Sequence, residues 1–165
     1  MMKKVFLTAM AAVVLTGMGN WASAAPAADS GKTETAVKTA KPTWLTRFNE
    51  AQEMARKEKK AIFVDFTGSD WCPWCVRLHD EILTKKSFLD YAAKNLVLLM
   101  VDFPRRKPLT SEQKQANEAL AQKYGIQGFP TILLLDSEGN VIAKTGYRRG
   151  GAEPYVRHLQ NLLKR

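Results

Sequence analysis

The only two cysteines of this 165-residue chain, Cys72 and Cys75, are three residues apart. They lie between residues 61–66, a nearly continuous apolar run that predicts a buried strand, and residues 76–83, whose apolar positions have helical spacing. A C-x-x-C pair between a strand and a helix is typical of redox-active thiols. A disulfide that closes so short a loop adds little stability, so the pattern favours a chemical role for the pair.

The N-terminus has the pattern of an export signal. Residues 1–4 are basic, residues 5–19 are apolar, and Ala22-Ser23-Ala24 forms a small-residue cleavage site. The alternative, a retained membrane anchor, is less favoured because the apolar run is shorter than the roughly 20 residues that span a bilayer. We therefore expect a signal peptide over residues 1–24, cleaved after Ala24. The mature protein is expected to be periplasmic or otherwise exported, without stable membrane insertion.

The rest of the chain predicts a short leader and one domain. Residues 25–41 have few large apolar side chains, so we expect a flexible leader, and residues 42–165 are long enough for a single core. The patterns predict helices over 44–60 (with Thr43 as its N-cap), 76–83, 87–94, 110–124 and 153–164, and strands over 61–66, 96–102, 131–136 and 141–147. This order predicts an α/β fold: a central mixed sheet that ends in an antiparallel hairpin and is flanked by helices.

The formal net charge of +9 raises the question of an anionic partner. Small basic clusters occur at Arg105-Arg106-Lys107 and at Arg148-Arg149. Because no basic repeats with interleaved aromatic residues accompany them, they are interpreted as solvated surface, and no nucleic-acid partner is expected.

A second motif, Gly128-Phe129-Pro130-Thr131, precedes the predicted hairpin. Together with a tryptophan before the C-x-x-C pair, this motif makes the chain resemble the thioredoxin superfamily over residues 44–165. More narrowly, it resembles the exported thioredoxin-like thiol–disulfide oxidoreductases of the bacterial cell envelope. The resemblance implies a thioredoxin-like fold and disulfide exchange with protein substrates, without a cofactor and with recycling by a redox partner.

The resemblance also implies roles for the residues of the motif. Cys72, at the start of a helix where the dipole lowers a thiol pKa, would be the exposed nucleophile. Cys75 would resolve the mixed disulfide, so that the two cysteines form a redox-active disulfide. Asp65 matches the buried acid that handles the proton of the resolving cysteine.

Four further residues are implied in substrate binding. Trp71 and Trp74 would shape the docking surface, Pro130 would be cis against the cysteine pair, and the Phe129 backbone would pair with an extended substrate. Ordinary thioredoxins have Gly-Pro between the cysteines, whereas this chain has Pro-Trp, and here one more residue separates the buried acid from the first cysteine.

Several alternatives remain open at this stage. The cysteines would form half a zinc site with His79, but structural zinc takes four ligands and the other histidine, His158, is distant in sequence, so no metal is expected. A second alternative is that the two cysteines form an inert disulfide. A third is that the chain is a non-catalytic thioredoxin-like module that binds a protein or a metal. Asp65 is alternatively a structural acid, and Asp70 is interpreted as a helix cap. We expect a monomer. Reductant, oxidant and isomerase directions all fit this pattern.

Overall fold

The computed structural model describes residues 42–164, so the predicted signal peptide and leader lie outside the described residues. The elements, in chain order, are β1 (Trp44–Leu45), α1 (Phe48–Glu58), β2 (Ala61–Thr67), α2 (Pro73–Leu78), a π-helical segment (His79–Leu83), α3 (Lys86–Asn95), β3 (Leu96–Asp102), α4 (Ser111–Lys123), β4 (Thr131–Leu135), β5 (Val141–Thr145) and α5 (Ala152–Leu163). Among the helices of this part of the chain, none combines the length and apolar character needed to span a bilayer.

The five strands form one mixed sheet in the order β1-β3-β2-β4-β5. β2 lies at its centre and pairs in parallel with β3, in a register that runs from Ala61 opposite Leu96 to Thr67 opposite Asp102. On its other side β2 pairs antiparallel with β4, and β4 continues antiparallel into β5. The predicted mixed sheet with a terminal hairpin is confirmed.

The central strand supplies side chains to two cores because alternate residues of a strand point to opposite faces of the sheet. Ile62, Val64 and Phe66 pack on the face that α1 and α4 cover. Phe63 packs on the other face with Phe88 and the residues of α3, α5 and the π-helical segment. Each fully buried side chain of this size contributes about 1.5–3 kcal/mol, so β2 is held firmly in place. By the same alternation, Asp65 lies on the face of Phe63.

The first predicted helix begins later than expected, and Thr43 does not cap it. Trp44 and Leu45 instead form a short strand that pairs in parallel with Leu98 and Leu99 of β3. The Trp44 ring packs edge-on against Phe63, with 6.1 Å between ring centroids. Periodicity alone did not reveal the strand, because its two residues also fit the helical spacing that follows, and only the long-range pairing separates them.

Candidate active site

The cysteine motif follows the C-terminal end of β2 and opens α2. Cys72 is the N-cap residue of α2, Pro73 occupies the first turn, and a disulfide joins Cys72 to Cys75 with 5.2 Å between their Cα atoms. The backbone N–H of Cys75 donates to Cys72 Sγ at 3.3 Å. A sulfur at a helix N-terminus that accepts a backbone N–H is well placed to be stabilised as a thiolate.

Both cysteines are buried in the disulfide form, with 4% and 3% of Cys72 and Cys75 exposed. The expectation of an exposed Cys72 is therefore wrong for this oxidised state. The reason is that Cys72 turns its sulfur back over α2, where it bonds to Cys75 and accepts the helix N–H. The exposed part of the motif is its middle, where Pro73 is exposed and Trp74 has 47% of its surface accessible.

The turn between β2 and the motif holds the extra residue noticed in the sequence. Asp102 at the end of β3 accepts hydrogen bonds from the Ser69 backbone N–H at 2.9 Å and from the Ser69 hydroxyl at 2.6 Å. The Gly68 carbonyl accepts from the backbone N–H groups of Trp71 and Cys72. A Cβ atom on Gly68 would lie 2.5 Å from Cε2 of Trp71, so the indole packs directly over this glycine. The longer turn is thus fixed to the sheet at one end and to the motif at the other.

Trp71 brings the second motif to one side of the first. Its indole N–H donates to the Phe103 carbonyl at 2.7 Å, and its ring meets Phe129 edge-on at 5.9 Å between centroids. Phe103 and Phe129 also contact each other, with centroids 5.1 Å apart. Trp71, Phe103 and Phe129 therefore form a cluster, here called the aromatic wall, that is joined to the cysteine motif through Trp71.

Pro130 follows this wall, and the Phe129–Pro130 peptide bond is cis, as the resemblance implied. The Pro130 carbonyl oxygen lies close to Gly146, where an added Cβ would stand 3.1 Å away. The Gly146 carbonyl in turn accepts a hydrogen bond from the buried Tyr155 hydroxyl at 3.2 Å. The cis bond thus joins Phe129 of the aromatic wall to the start of β4.

Trp74 makes contacts separate from those of Trp71, and one of them is with a tyrosine that the sequence analysis missed. Tyr147, which follows β5, lies 5.6 Å from Trp74 between ring centroids, and the Arg77 guanidinium lies 5.1 Å from the centre of the Trp74 ring. The Tyr147 hydroxyl donates to Glu81, and this bond is the main reason that the pKa of Tyr147 is raised. The sequence signal that could have pointed to Tyr147 is its position directly after Gly146, the glycine that approaches the Pro130 carbonyl oxygen.

Asp65 is a buried acid whose carboxyl group lacks a full set of hydrogen bonds within residues 42–164. Only 4% of the residue is exposed, and no group of residues 42–164 lies within hydrogen-bonding distance of its Oδ1 atom. Burial, and to a lesser extent the charge of Asp102, raises the pKa of Asp65 to about 7. An acid that titrates near neutral pH can accept and return a proton, which a structural acid with all its hydrogen bonds made does less readily.

Asp70 does not cap α2, contrary to expectation. Its carboxylate accepts from three consecutive backbone N–H groups, those of Arg105 at 2.9 Å, Arg106 at 2.8 Å and Lys107 at 3.2 Å. These bonds hold the pKa of Asp70 below its usual range. The N-cap position is instead taken by Cys72, so Asp70 is free to bind the loop after β3. The side chains of the basic cluster at Arg105-Arg106-Lys107 are exposed, as expected for a solvated surface, while its backbone is bound to Asp70, two residues before Cys72.

The zinc site considered as an alternative requires further ligands beside Cys72, Cys75 and His79. His79 is exposed and contacts Asp80 at 3.0 Å, and residues 42–164 contain no group of three or more His, Cys, Asp or Glu side chains arranged to hold a metal ion.

Comparison with known proteins places this geometry in a family. Residues 48–158 match the family described as a thioredoxin-like domain. The chain is 38% identical over 117 residues to the disulfide bond reductase DsbH of Chlamydia pneumoniae, covering 71% of this chain and 70% of that protein. It is 26% identical over 129 residues to the thioredoxin-related protein DsbJ of the same organism, covering 74% of this chain but only 37% of DsbJ.

Solved structures agree with this assignment. A DsbH oxidoreductase structure matches with a TM-score of 0.72 and 37% identity, over 76% of this chain and 86% of that one. A thioredoxin from Thermus thermophilus, at 18% identity and a TM-score of 0.51, matches over 76% of this chain and 87% of its own length and shares the fold. The predicted thioredoxin-like fold is confirmed. The chain belongs to the thioredoxin-like family, and it is a thiol–disulfide oxidoreductase homologous to DsbH that carries its C-x-x-C pair at Cys72 and Cys75.

Proposed function

We propose that the protein reduces disulfide bonds in exported protein substrates. The observation that carries this proposal is the position of Cys72, whose sulfur caps α2 and accepts the Cys75 N–H, in a chain 38% identical to a protein named a disulfide bond reductase. In the reduced protein, the Cys72 thiolate attacks one sulfur of a substrate disulfide. A mixed disulfide forms, and the other substrate sulfur leaves as a thiolate that takes up a proton.

Cys75 completes the reaction. Its thiolate attacks Cys72 Sγ, the protein disulfide forms, and the second substrate sulfur leaves, so that the substrate gains the two electrons that the cysteine pair loses. The pair is then reduced again by a partner dithiol, and the exchange needs no cofactor. The opposite direction, oxidation of substrate thiols, runs through the same mixed disulfide.

Asp65 is proposed as the acceptor of the Cys75 proton. Cys75 and Leu78 are three residues apart in α2 and therefore share a face of the helix, and Leu78 packs in the core that contains Phe63. Asp65 lies on the same face of β2 as Phe63. Its pKa of about 7 supports transfer in either direction at neutral pH.

Substrate binding is proposed at the two aromatic sides of the motif. On one side, Trp71 and Phe129 form a wall, and the Phe129 backbone precedes β4 and is not part of its ladder, so it is available to an extended substrate. On the other side, Trp74 is largely exposed and offers apolar contact. Pro130, in the cis form, joins the wall to β4.

Trapping of the mixed disulfide tests this function. The Cys75→Ala variant lacks the resolving thiol, so we expect it to accumulate adducts with exported proteins that dithiothreitol releases. The Cys72→Ser/Cys75→Ala double variant is the matched control and is expected to give none. Adducts that persist in the double variant, or a Cys75→Ala protein without adducts in its native host, would count for a non-catalytic binding module instead.

Export is proposed on the N-terminal sequence pattern. We propose a signal peptide over residues 1–24, a leader over 25–41 and a monomeric thioredoxin-like domain over 42–165. Mass spectrometry of the protein from its native host is expected to find Ala25 at the mature N-terminus in the extracytoplasmic fraction. A mature chain that still carries Lys3 and Lys4 would contradict this division.

A further inference from the structure

The loop after β3 places fixed positive charge beside the first tryptophan of the motif. Three backbone hydrogen bonds to Asp70 fix the loop at Arg105, Arg106 and Lys107, so its side chains are presented from a rigid backbone. The Arg105 guanidinium lies 3.9 Å from the centre of the Trp71 ring. A stacked guanidinium keeps the N–H groups at its edge free for a carboxylate.

Positive charge also surrounds the second tryptophan. Arg77 lies over Trp74, and Arg148 and Arg149 directly follow Tyr147, the ring that packs against Trp74. Both Arg77 and Arg149 act on the Tyr147 hydroxyl by lowering its pKa, in opposition to the stronger effect of Glu81. Arg77 and Arg149 therefore lie within electrostatic range of this side of the motif, whereas the charge of Arg148 acts on Tyr155 and His158 of α5.

The cations at the two tryptophans are not held in direct ion pairs. The six residues Arg77, Arg105, Arg106, Lys107, Arg148 and Arg149, which we call the basic rim, are all exposed, and none of them forms an ion pair within residues 42–164.

Four acids of the surrounding segments are held by other groups. Asp70 is bound by backbone N–H groups, Asp102 by Ser69, Glu81 by Tyr147 and Asp80 by His79. These acids keep their charge, but the six cations outnumber them, and a surface with net positive charge beside a buried reactive pair raises the local concentration of anionic ligands.

We propose that the basic rim selects protein disulfides whose cysteines are flanked by aspartate or glutamate. This inference rests on the proposed reductase function and names its substrate class. An extended substrate segment would cross the motif between the aromatic wall and Trp74. Its flanking carboxylates would then reach Arg105 on one side, and Arg77 and Arg149 near Tyr147 on the other. Aromatic contacts supply apolar binding, and charge-assisted hydrogen bonds to the guanidinium groups supply the preference for acidic sequences.

Three matched cyclic peptides test the proposal directly. Each has the same intramolecular disulfide, with the cysteines flanked by glutamate, by glutamine or by lysine, and the measured quantity is kcat/KM for peptide reduction by the full mature protein. We expect the glutamate peptide to exceed the glutamine peptide by about tenfold at low ionic strength, because several exposed charge contacts act together. The lysine peptide is expected to be slowest, and the differences are expected to shrink as salt screens the charges.

Two double variants localise the effect. Arg105→Gln/Arg149→Gln removes one charge from each of the two basic clusters. Arg106→Gln/Arg148→Gln also removes one charge from each cluster but leaves the contacts of Arg105 with Trp71 and of Arg77 with Trp74 in place. The first variant is expected to bring the glutamate-to-glutamine ratio of kcat/KM close to one. The second variant, which keeps Arg105 and Arg149, is expected to lower the ratio only part of the way. A first variant with the wild-type ratio would overturn the proposal. Lys94→Gln is the control, since Lys94 is exposed and lines a hollow with Ala61 at the far end of β2, and it is expected to keep the wild-type ratio.

The outcomes separate this proposal from the function on which it rests. Reduction of the glutamine peptide without a faster glutamate peptide overturns the acidic preference and leaves the reductase function intact. Reduction of none of the peptides overturns both. A rim that binds vesicles containing phosphatidylglycerol while all three peptides react equally would show a membrane-surface role and would also overturn the proposal.

Discussion

The Asp102 carboxylate accepts two hydrogen bonds from Ser69, one from the Ser69 backbone N–H at 2.9 Å and one from the Ser69 hydroxyl at 2.6 Å. Asp102 ends β3 directly opposite Thr67, the last residue of β2. These bonds therefore attach the turn before the cysteine motif to the C-terminal ends of the parallel strands β2 and β3. The longer spacing between Asp65 and Cys72 is accommodated in a fixed turn and not in a loose loop.

Replacement of Ser69 by alanine is expected to destabilise the oxidised protein. The change removes a hydrogen bond to a carboxylate, and bonds of this kind contribute about 1.5–3 kcal/mol. Urea unfolding at neutral pH measures the loss. Ser137→Ala is the control, because the Ser137 hydroxyl makes only a 3.3 Å contact with an exposed glutamate, and a change within about 0.5 kcal/mol is expected. Equal effects of the two variants would show that the Ser69–Asp102 contact does not hold the turn.

Replacement of Gly68 by alanine is expected to displace Trp71. The new Cβ would stand 2.5 Å from the indole, so the ring must move and its bond to the Phe103 carbonyl is lost. We expect a loss of about 1–3 kcal/mol in the free energy of unfolding, together with a higher KM for protein substrates. Gly128→Ala, where nothing lies within 4 Å of the added Cβ, is expected to retain wild-type stability. A Gly68→Ala variant as stable as Gly128→Ala would contradict the packing described here.

The raised pKa of Asp65 predicts a particular dependence of stability on pH. The pKa is 3.8 for an ordinary carboxyl and about 7 in the folded protein, so between these values the folded state holds a proton that the unfolded chain has released. This contribution to stability is complete below the ordinary value and is lost as the pH rises, at about 1.4 kcal/mol per pH unit. The loss accumulates between pH 3.8 and about pH 7, where it reaches a total on the order of 4 kcal/mol, and does not grow further at higher pH.

The Asp65→Asn variant removes this titration. The gap in unfolding free energy between the variant and the wild type is expected to change in favour of the variant from pH 4 to pH 7, and then to level off. Urea unfolding across this range measures the gap, with Asp90→Asn on the exposed side of α3 as a control that keeps the wild-type slope. Parallel curves for wild type and Asp65→Asn would contradict the assignment. Slower resolution of the mixed disulfide by Asp65→Asn is the kinetic counterpart.

The contact of Asp70 with the loop after β3 predicts where backbone protection is lost. Asp70→Asn removes a charged acceptor that three backbone N–H groups share, so the amides of Arg105, Arg106 and Lys107 are expected to exchange with solvent several-fold faster at pH 7. Hydrogen exchange measured by NMR or mass spectrometry tests this. Asp80→Asn, which changes an exposed carboxylate that contacts only a histidine side chain, is expected to leave those amides unaffected. Unchanged exchange in Asp70→Asn would mean that the loop is ordered by other contacts.

The sequence predicted the elements whose pattern is local. The apolar run of β2, the glycine after α4 and the hairpin of β4 and β5 each appear where residue spacing and turn chemistry indicated. The cysteine pair at the start of α2 was likewise indicated by its motif, and the cis bond before Pro130 was implied by the family resemblance.

What the sequence did not predict depends on contacts between distant residues. Asp70 is followed directly by a helix, which made a cap the nearest explanation, but its partners lie more than thirty residues away in the loop after β3. Tyr147 reaches Trp74 only because β5 returns along the sheet. The same holds for Trp44 and Leu45, whose strand exists only through pairing with β3. Spacing along the chain carries no signal for such contacts.

Reduction of insulin tests the central claim most directly. With dithiothreitol as the electron source, the wild-type protein is expected to accelerate the precipitation of insulin chains well above the uncatalysed rate. The Cys72→Ser variant is expected to show only the uncatalysed rate, because the attacking sulfur is absent while the aromatic wall and the basic rim remain. Equal rates for wild type and Cys72→Ser would contradict the account and favour a thioredoxin-like binding protein.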